Sequence, residues 1–241
     1  MPTIGANGIG IYYEIHGDGE PLVLIGGLSL DVSQIDWMIR RLSQGYRVIA
    51  FDNRGAGRTD KPDAPFSIAM MAEDTAGLLG ALGITRAHVL GISMGGRIAI
   101  SLALEHPDMV RSLVLVSSSA AMPLRRGRLW SLSNFMFRIP WVRGIGTKYP
   151  QPYYAFVRQR EASRGYDATG RLGEIHAPTI IMHGKKDRTT PYELAEETHL
   201  GIAGSSMIAF DGGHLFPFMK QKEFLSVVSE FLVKQAAEPQ A

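Results

Sequence analysis

A chain of 241 residues without a single cysteine is long enough for one large α/β domain. It excludes disulfides, thiolate metal sites, iron–sulfur clusters and cysteine nucleophiles together. The 45% hydrophobic and 20% charged content excludes a disordered chain, and a net charge of +2 gives no footing for a nucleic-acid partner. The opening Met1-Pro2-Thr3-Ile4-Gly5 lacks the basic and apolar blocks of a signal peptide, and Arg97 interrupts the best apolar stretch. A cytoplasmic protein with no stable membrane insertion is the expectation.

In chain order, Asn7-Gly8 is a hairpin-turn signal, and the alternating run 8–14 beside it reads as part of an antiparallel hairpin. Short apolar runs follow at 22–25, 47–51, 88–92, 113–116, 179–182 and 207–210. Runs of this kind, bounded by Gly, Asp or Ser, mark strands buried on both faces. Helical patterns at 68–82, 95–105, 192–199 and 222–233 separate most of them. The alternation predicts a mostly parallel sheet with helices on both faces, and ligands bind such sheets beyond the carboxyl ends of the strands.

The stretch 120–171 breaks this rhythm. It has no strand pattern, is rich in aromatics, and carries ten Arg and Lys against Glu161 and Asp167 alone. The chain therefore divides into 1–119, 120–171 and 172–241, with a basic insertion in an otherwise acidic core.

Gly91-Ile92-Ser93-Met94-Gly95 fits Gly-x-Ser-x-Gly, with an apolar strand running in and a helical pattern leaving. A nucleophilic serine on a sharp strand-to-helix turn needs this setting; the bland alternative is Ser93 as a helix cap. A serine hydroxyl needs a base. Of seven histidines, His16 reads as part of the hairpin turn, and His88, His106, His176, His183 and His199 sit at element ends or in helices. His214 instead follows Asp211-Gly212-Gly213 at a strand's carboxyl end, where it can reach over the sheet. Asp187, after the run 179–182, is the carboxylate to orient it; the alternative is a turn aspartate flanked by Lys186 and Arg188. The order is Ser93, Asp187, His214.

With these residues the sequence resembles the α/β-hydrolase family, in its esterase and enol-lactonase-like branch. Four blocks carry the likeness over nearly the whole chain: Leu24-Ile25-Gly26-Gly27-Leu28, the segment Phe51-Asp52-Asn53-Arg54-Gly55-Ala56-Gly57-Arg58, the 91–96 elbow, and Gly184…Asp187 with Gly213-His214. The resemblance implies the α/β-hydrolase fold, an eight-stranded mostly parallel sheet with 120–171 as a helical cap. It also implies an oxyanion hole from the backbone N–H groups of Leu28 and Met94, and a structural role for Asp52 and Arg54. Two departures stand out. Gly26-Gly27 replaces the frequent His-Gly, which predicts a more mobile loop, and the apolar 215–218 run replaces an acidic residue after the catalytic histidine.

The expected reaction is hydrolysis of short- to medium-chain carboxylic esters by a serine carboxylesterase. Alternatives are an enol-lactone type lactonase, a carbon–carbon hydrolase on an anionic substrate, and a non-catalytic ligand receptor. Ile92 stands where the carbon–carbon hydrolases usually have asparagine, which ranks them lower. Trp130, Phe135, Trp141, Met122 and Leu215 are the candidate walls of an apolar acyl site. The cap cations read as a solvated face, a clamp for a carboxylate, or an attraction to anionic membrane. No metal set and no nucleotide loop is present in the sequence, so no cofactor is expected, and the partner is a small-molecule ester. Oligomeric state is left open.

Overall fold

Every strand predicted from an apolar run lies in one eight-stranded sheet. The computed structural model describes residues 2–122 and 147–237. The strands are β1 Thr3–Ala6, β2 Ile9–His16, β3 Glu20–Ile25, β4 Tyr46–Phe51, β5 Ala87–Ile92, β6 Val110–Val116, β7 Thr179–Gly184 and β8 Ser206–Phe210. Their order is β1-β2-β4-β3-β5-β6-β7-β8; β2 pairs antiparallel with β1 and β4, and the other pairings are parallel. Asn7 (φ 47°) and Gly8 (φ 76°) form the two-residue hairpin turn that their types favour. His16 belongs to the end of β2 rather than to the turn, and its ring meets Glu14 at 2.8 Å.

Helices cover both faces. Helices α2 (Ile68–Ala81) and α3 (Met94–Glu105) contribute to one buried cluster, with Ile68, Met71, Leu79, Ile98 and Leu102. On the other face, α1 (Asp36–Leu42) and α7 (Gln221–Ala237) bury Met38, Ile39, Phe224 and Val228. Helices α4 (Tyr153–Arg164), α5 (Tyr192–Gly201) and the short α6 (Phe216–Met219) complete the described set. The seven-residue α1 was not predicted; two turns are too short to display a clear 3.6-residue period. Within 120–171, Ala121 bridges Asp167 and Ala168 N–H donates to Ala120 O, so the stretch leaves and returns at adjacent points.

The strand-end block after β4 holds the loops in place. Asp52 is fully buried and accepts from the N–H groups of Val32 (2.8 Å) and Arg58 (2.7 Å). Burial pushes its carboxyl up from the ordinary range, and these hydrogen bonds offset that only in part. Arg54 forks onto Asp74 of α2, with Nε to Oδ2 at 2.7 Å and Nη2 to Oδ1 at 2.5 Å. Through these bonds both side chains tie the loop after β4 to neighbouring parts of the fold.

Candidate active site

The nucleophile candidate sits where β5 turns abruptly into α3. Ser93 has φ 55° and ψ −115°, a left-handed conformation that costs a non-glycine residue about 1–3 kcal/mol. The turn is locked by Ser93 N–H to Val116 O (2.8 Å) and by Ser118 Oγ donating to Ser93 O (2.7 Å). Gly95 is required by close approach, because a Cβ there would collide with the backbone oxygens of Ile25 and Gly26. The Ser93 side chain makes no capping hydrogen bond to α3. Its Oγ lies 2.9 Å from His214 Nε2.

His214 is carried on the loop after β8. That loop packs flat against the end of β7: a Cβ on Gly184 would meet Gly212 O at 2.5 Å and Gly213 O at 2.6 Å. Lys186 N–H donates to Gly212 O, and Ser117 Oγ donates to His214 O at 2.9 Å, fixing the loop from two neighbouring strand ends. The other ring nitrogen, His214 Nδ1, is 2.7 Å from Asp187 Oδ2. A carboxylate there fixes the proton on Nδ1 and leaves Nε2 as the acceptor facing the serine.

Asp187 is buried, and burial by itself opposes its charge. Hydrogen bonds from His183, His214 and the Thr190 N–H outweigh burial and hold the carboxyl well below the usual carboxylate range. Oδ1 also accepts from the N–H groups of Thr189 (2.8 Å) and Thr190 (2.9 Å). Lys186 Nζ pairs with Asp211 (2.6 Å) instead, so the flanking cation does not claim Asp187. His183, given only a strand-end reading above, lies fully buried with Nε2 between Thr190 O (2.9 Å) and Asp187 Oδ2 (3.2 Å). Two acceptors at one nitrogen place the proton on Nε2, so His183 is a second donor to the carboxylate.

The loop after β3 lies against this group. A Cβ on Gly27 would come within 3.3 Å of Ser93 Cβ, so the loop backbone passes directly over the nucleophile. Leu28 follows it, and Met94 is the first residue of α3. Among the described residues, neither the Leu28 N–H nor the Met94 N–H has a hydrogen-bond acceptor outside its own element. The absent histidine of the His-Gly pattern leaves the loop held by other means. Asn53 Nδ2 donates to Gly26 O at 2.8 Å, and Ser29, at φ 64°, donates its N–H to Gln159 Oε1 at 3.1 Å. Gln159 is fully buried on α4 and donates through Nε2 to Arg54 O at 2.7 Å.

Nothing local in the sequence marks Gln159, since a polar residue on a cationic helix reads as solvated. Replacing it by leucine leaves the buried Arg54 carbonyl unpaired, at about 1–3 kcal/mol, and the half-buried Ser29 N–H without its acceptor, at a smaller cost. Gln159→Leu is therefore expected to lower the urea midpoint of unfolding and to reduce kcat more than it raises KM, because the loop beside Ser93 loses its anchor.

Of the candidate pocket residues, Leu215 stands 60% exposed next to His214, and Met122 is half-buried just beyond the bridge at Ala121. Trp130, Phe135 and Trp141 lie outside the described residues. Among the described residues, no helix is long and apolar enough to cross a membrane.

Comparison with known proteins agrees with this fold. Residues 20–151 match the family model described as the alpha/beta hydrolase fold. The chain is 30% identical over 244 residues to the putative carbamate hydrolase RutD of Azorhizobium caulinodans, covering 90% of this chain and 92% of that protein. An esterase from Exiguobacterium antarcticum superimposes with a TM-score of 0.81 at 28% identity, covering 95% of this chain and 98% of that one. The enol-lactonase from Burkholderia xenovorans LB400 shares the fold, with a TM-score of 0.83 at 24% identity over 96% of this chain and all of that one. An eight-stranded sheet, a serine on the elbow between β5 and α3 and a full-length match at this level lead to one assignment: the chain belongs to the α/β-hydrolase fold family.

Proposed function

We propose that the protein is a serine carboxylesterase acting on short- to medium-chain esters, with Ser93 as nucleophile, His214 as base and Asp187 as its orienting carboxylate. The observation that carries this reading is the continuous chain from Ser93 Oγ through the His214 ring to Asp187 Oδ2, at 2.9 and 2.7 Å. Ser93 Oγ attacks the ester carbonyl carbon while its proton passes to His214 Nε2. The new imidazolium donates from Nδ1 to a carboxylate that stays ionised. The oxyanion forms between the N–H groups of Leu28 and Met94, each such donor contributing about 2.7–4 kcal/mol to the transition state. His214 then returns the proton to the leaving alkoxide. Water, activated by the same imidazole, attacks the acyl-serine, and Ser93 recovers its proton as the acid leaves.

The stretch 120–171 acts as the cap in this reading, with Met122 and Leu215 on the wall of the acyl site. A second reading has one observation in its favour: the relative from Azorhizobium caulinodans is named a putative carbamate hydrolase. A carbamate carbonyl would meet the same nucleophile and the same oxyanion donors. Hydrolysis of p-nitrophenyl esters from acetate to palmitate, with a p-nitrophenyl carbamate alongside, separates the two. The expected result is a maximum of kcat/KM between acetate and octanoate, above the carbamate. A carbamate rate exceeding every ester rate overturns the ester assignment and keeps the serine chemistry.

A further inference from the structure

Arg97 is a buried cation with no carboxylate to pair it among the described residues. It sits on α3 one turn beyond Ser93, about 6 Å further along the helix axis, and is 1% exposed. Nη1 donates to Ser163 Oγ at 2.9 Å and Nη2 reaches Ser119 Oγ at 3.4 Å, while the buried Nε–H has no acceptor. The remaining donors of a five-donor guanidinium meet no acidic group among the described residues. The stretch 123–146 cannot supply one, because it contains five arginines and neither Asp nor Glu. Burial draws the guanidinium down to about 10, so it is still charged at neutral pH. Burial also pushes the nearby Tyr166 hydroxyl up to about 12, so Tyr166 is a neutral donor and not the missing anion.

A buried charge without a counter-charge is costly, and a buried donor left unsatisfied calls for a partner such as a bound anion. The surroundings say what that is. Ser119 Oγ gives its proton to Ala121 O, and Ser163 Oγ accepts from Arg97 with no acceptor of its own among the described residues. The donors left free are the Ser163 hydroxyl and the Arg97 Nε–H with its unengaged neighbours, and the shape of a guanidinium fork suits a carboxylate.

Its partners also belong to the elements that build the catalytic group. Ser119 continues the run in which Ser117 holds His214 O and Ser118 holds Ser93 O. Ser163 lies one turn after Gln159, which holds the loop over Ser93. We propose that Arg97 and Ser163, with Ser119 holding the guanidinium in place, form the anchor for a carboxylate on the acyl part of the substrate, so that the preferred esters are half-esters of dicarboxylic acids. This rests on the ester-hydrolase reading for its reaction, though not for its binding.

The test compares 4-nitrophenyl hydrogen adipate with 4-nitrophenyl hexanoate, equal in chain length, in chloride-free buffer. The wild type is expected to favour the adipate half-ester in kcat/KM. Arg97→Met should lower that acidic-over-neutral ratio about 10- to 100-fold, chiefly through the KM of the half-ester. Arg97→Lys, which keeps the charge without the fork, should fall between and covers the case in which Arg97→Met does not fold.

Binding is read separately by calorimetric titration of adipate into Ser93→Ala, with and without Arg97→Lys. Saturable binding that weakens with the lysine supports the anchor even if neither ester is cleaved, in which case the ester reading alone fails. A wild-type ratio near one, with no adipate binding to Ser93→Ala, overturns the proposal. A thermal shift given equally by chloride and adipate, again with a ratio near one, also overturns it, because the site then holds a resident inorganic anion.

Discussion

Ser93→Ala is expected to lower kcat for the best p-nitrophenyl ester by about 10⁴-fold or more, the scale on which a serine nucleophile acting with its base is lost. The mutation deletes Oγ and leaves the His214–Asp187 hydrogen bond of 2.7 Å in place. It also leaves the Leu28 and Met94 N–H groups, so the residual activity measures what the oxyanion donors of the proposed mechanism and binding achieve without a nucleophile. KM should change little, since Oγ contributes to the transition state more than to ground-state binding. Alanine keeps the Cβ at φ 55° and therefore keeps the strain. Ser93→Gly relieves it, and should raise unfolding stability by about 1 kcal/mol while being equally inactive. Steady-state kinetics beside urea unfolding check both halves. Equal ester rates in Ser93→Ala and the wild type would remove Ser93 from the chemistry.

Asp74→Ala is expected to produce the largest loss of stability, about 3–5 kcal/mol, which is the cost of stranding one member of a buried ion pair. Asp74 is 2% exposed and accepts the Arg54 fork at 2.5 and 2.7 Å, together with Asn7 Nδ2 at 2.7 Å. Three separate parts of the chain meet there: the β1–β2 turn, the loop after β4 and helix α2. Without the carboxylate, the Arg54 guanidinium stays buried with Asn7 O as its remaining acceptor, at 3.4 Å. Asp74→Asn keeps one acceptor oxygen and should cost less. The loop after β4 also carries Asn53 and the Arg54 carbonyl, which hold the Gly26–Ser29 backbone through a direct bond and through Gln159. Activity is therefore expected to fall together with stability in Asp74→Ala. Urea denaturation with a matched kinetic assay tests this; a shift in midpoint worth under 1 kcal/mol would mean the pair is solvated in solution.

The strands, and the three side chains that the structure joins by hydrogen bonds, Ser93, His214 and Asp187, were legible because their signals are local. A strand buried on both faces must be apolar at every position, so 22–25, 88–92, 113–116 and 179–182 show in the sequence as uninterrupted runs. Their boundaries move by one to three residues in the structure, since strand ends such as Glu20 and Tyr46 are set by the partner they pair with. Ser93 was readable from the glycines around it, which exist to let Ile25, Gly26 and Gly95 backbone pass without a Cβ. His214 and Asp187 were readable from their loops at strand ends. Parallel strands bring all carboxyl ends to one edge, so chain order together with strand direction nearly places them.

The tertiary structure alone decided who holds those groups still. His183 lies four residues before Asp187, yet its donation depends on the loop between them folding back. Gln159 reaches Ser29 across 130 residues, and Arg97 meets Ser163 across 66. Such contacts carry no local signature, because the same Gln or Arg on a helix surface would serve equally well facing water. Sequence by itself fixes which residue types can do chemistry and the edge of the sheet they occupy. Packing decides which polar side chains are taken out of water, and it is burial that turns a glutamine into an anchor and leaves the charge of Arg97 unpaired.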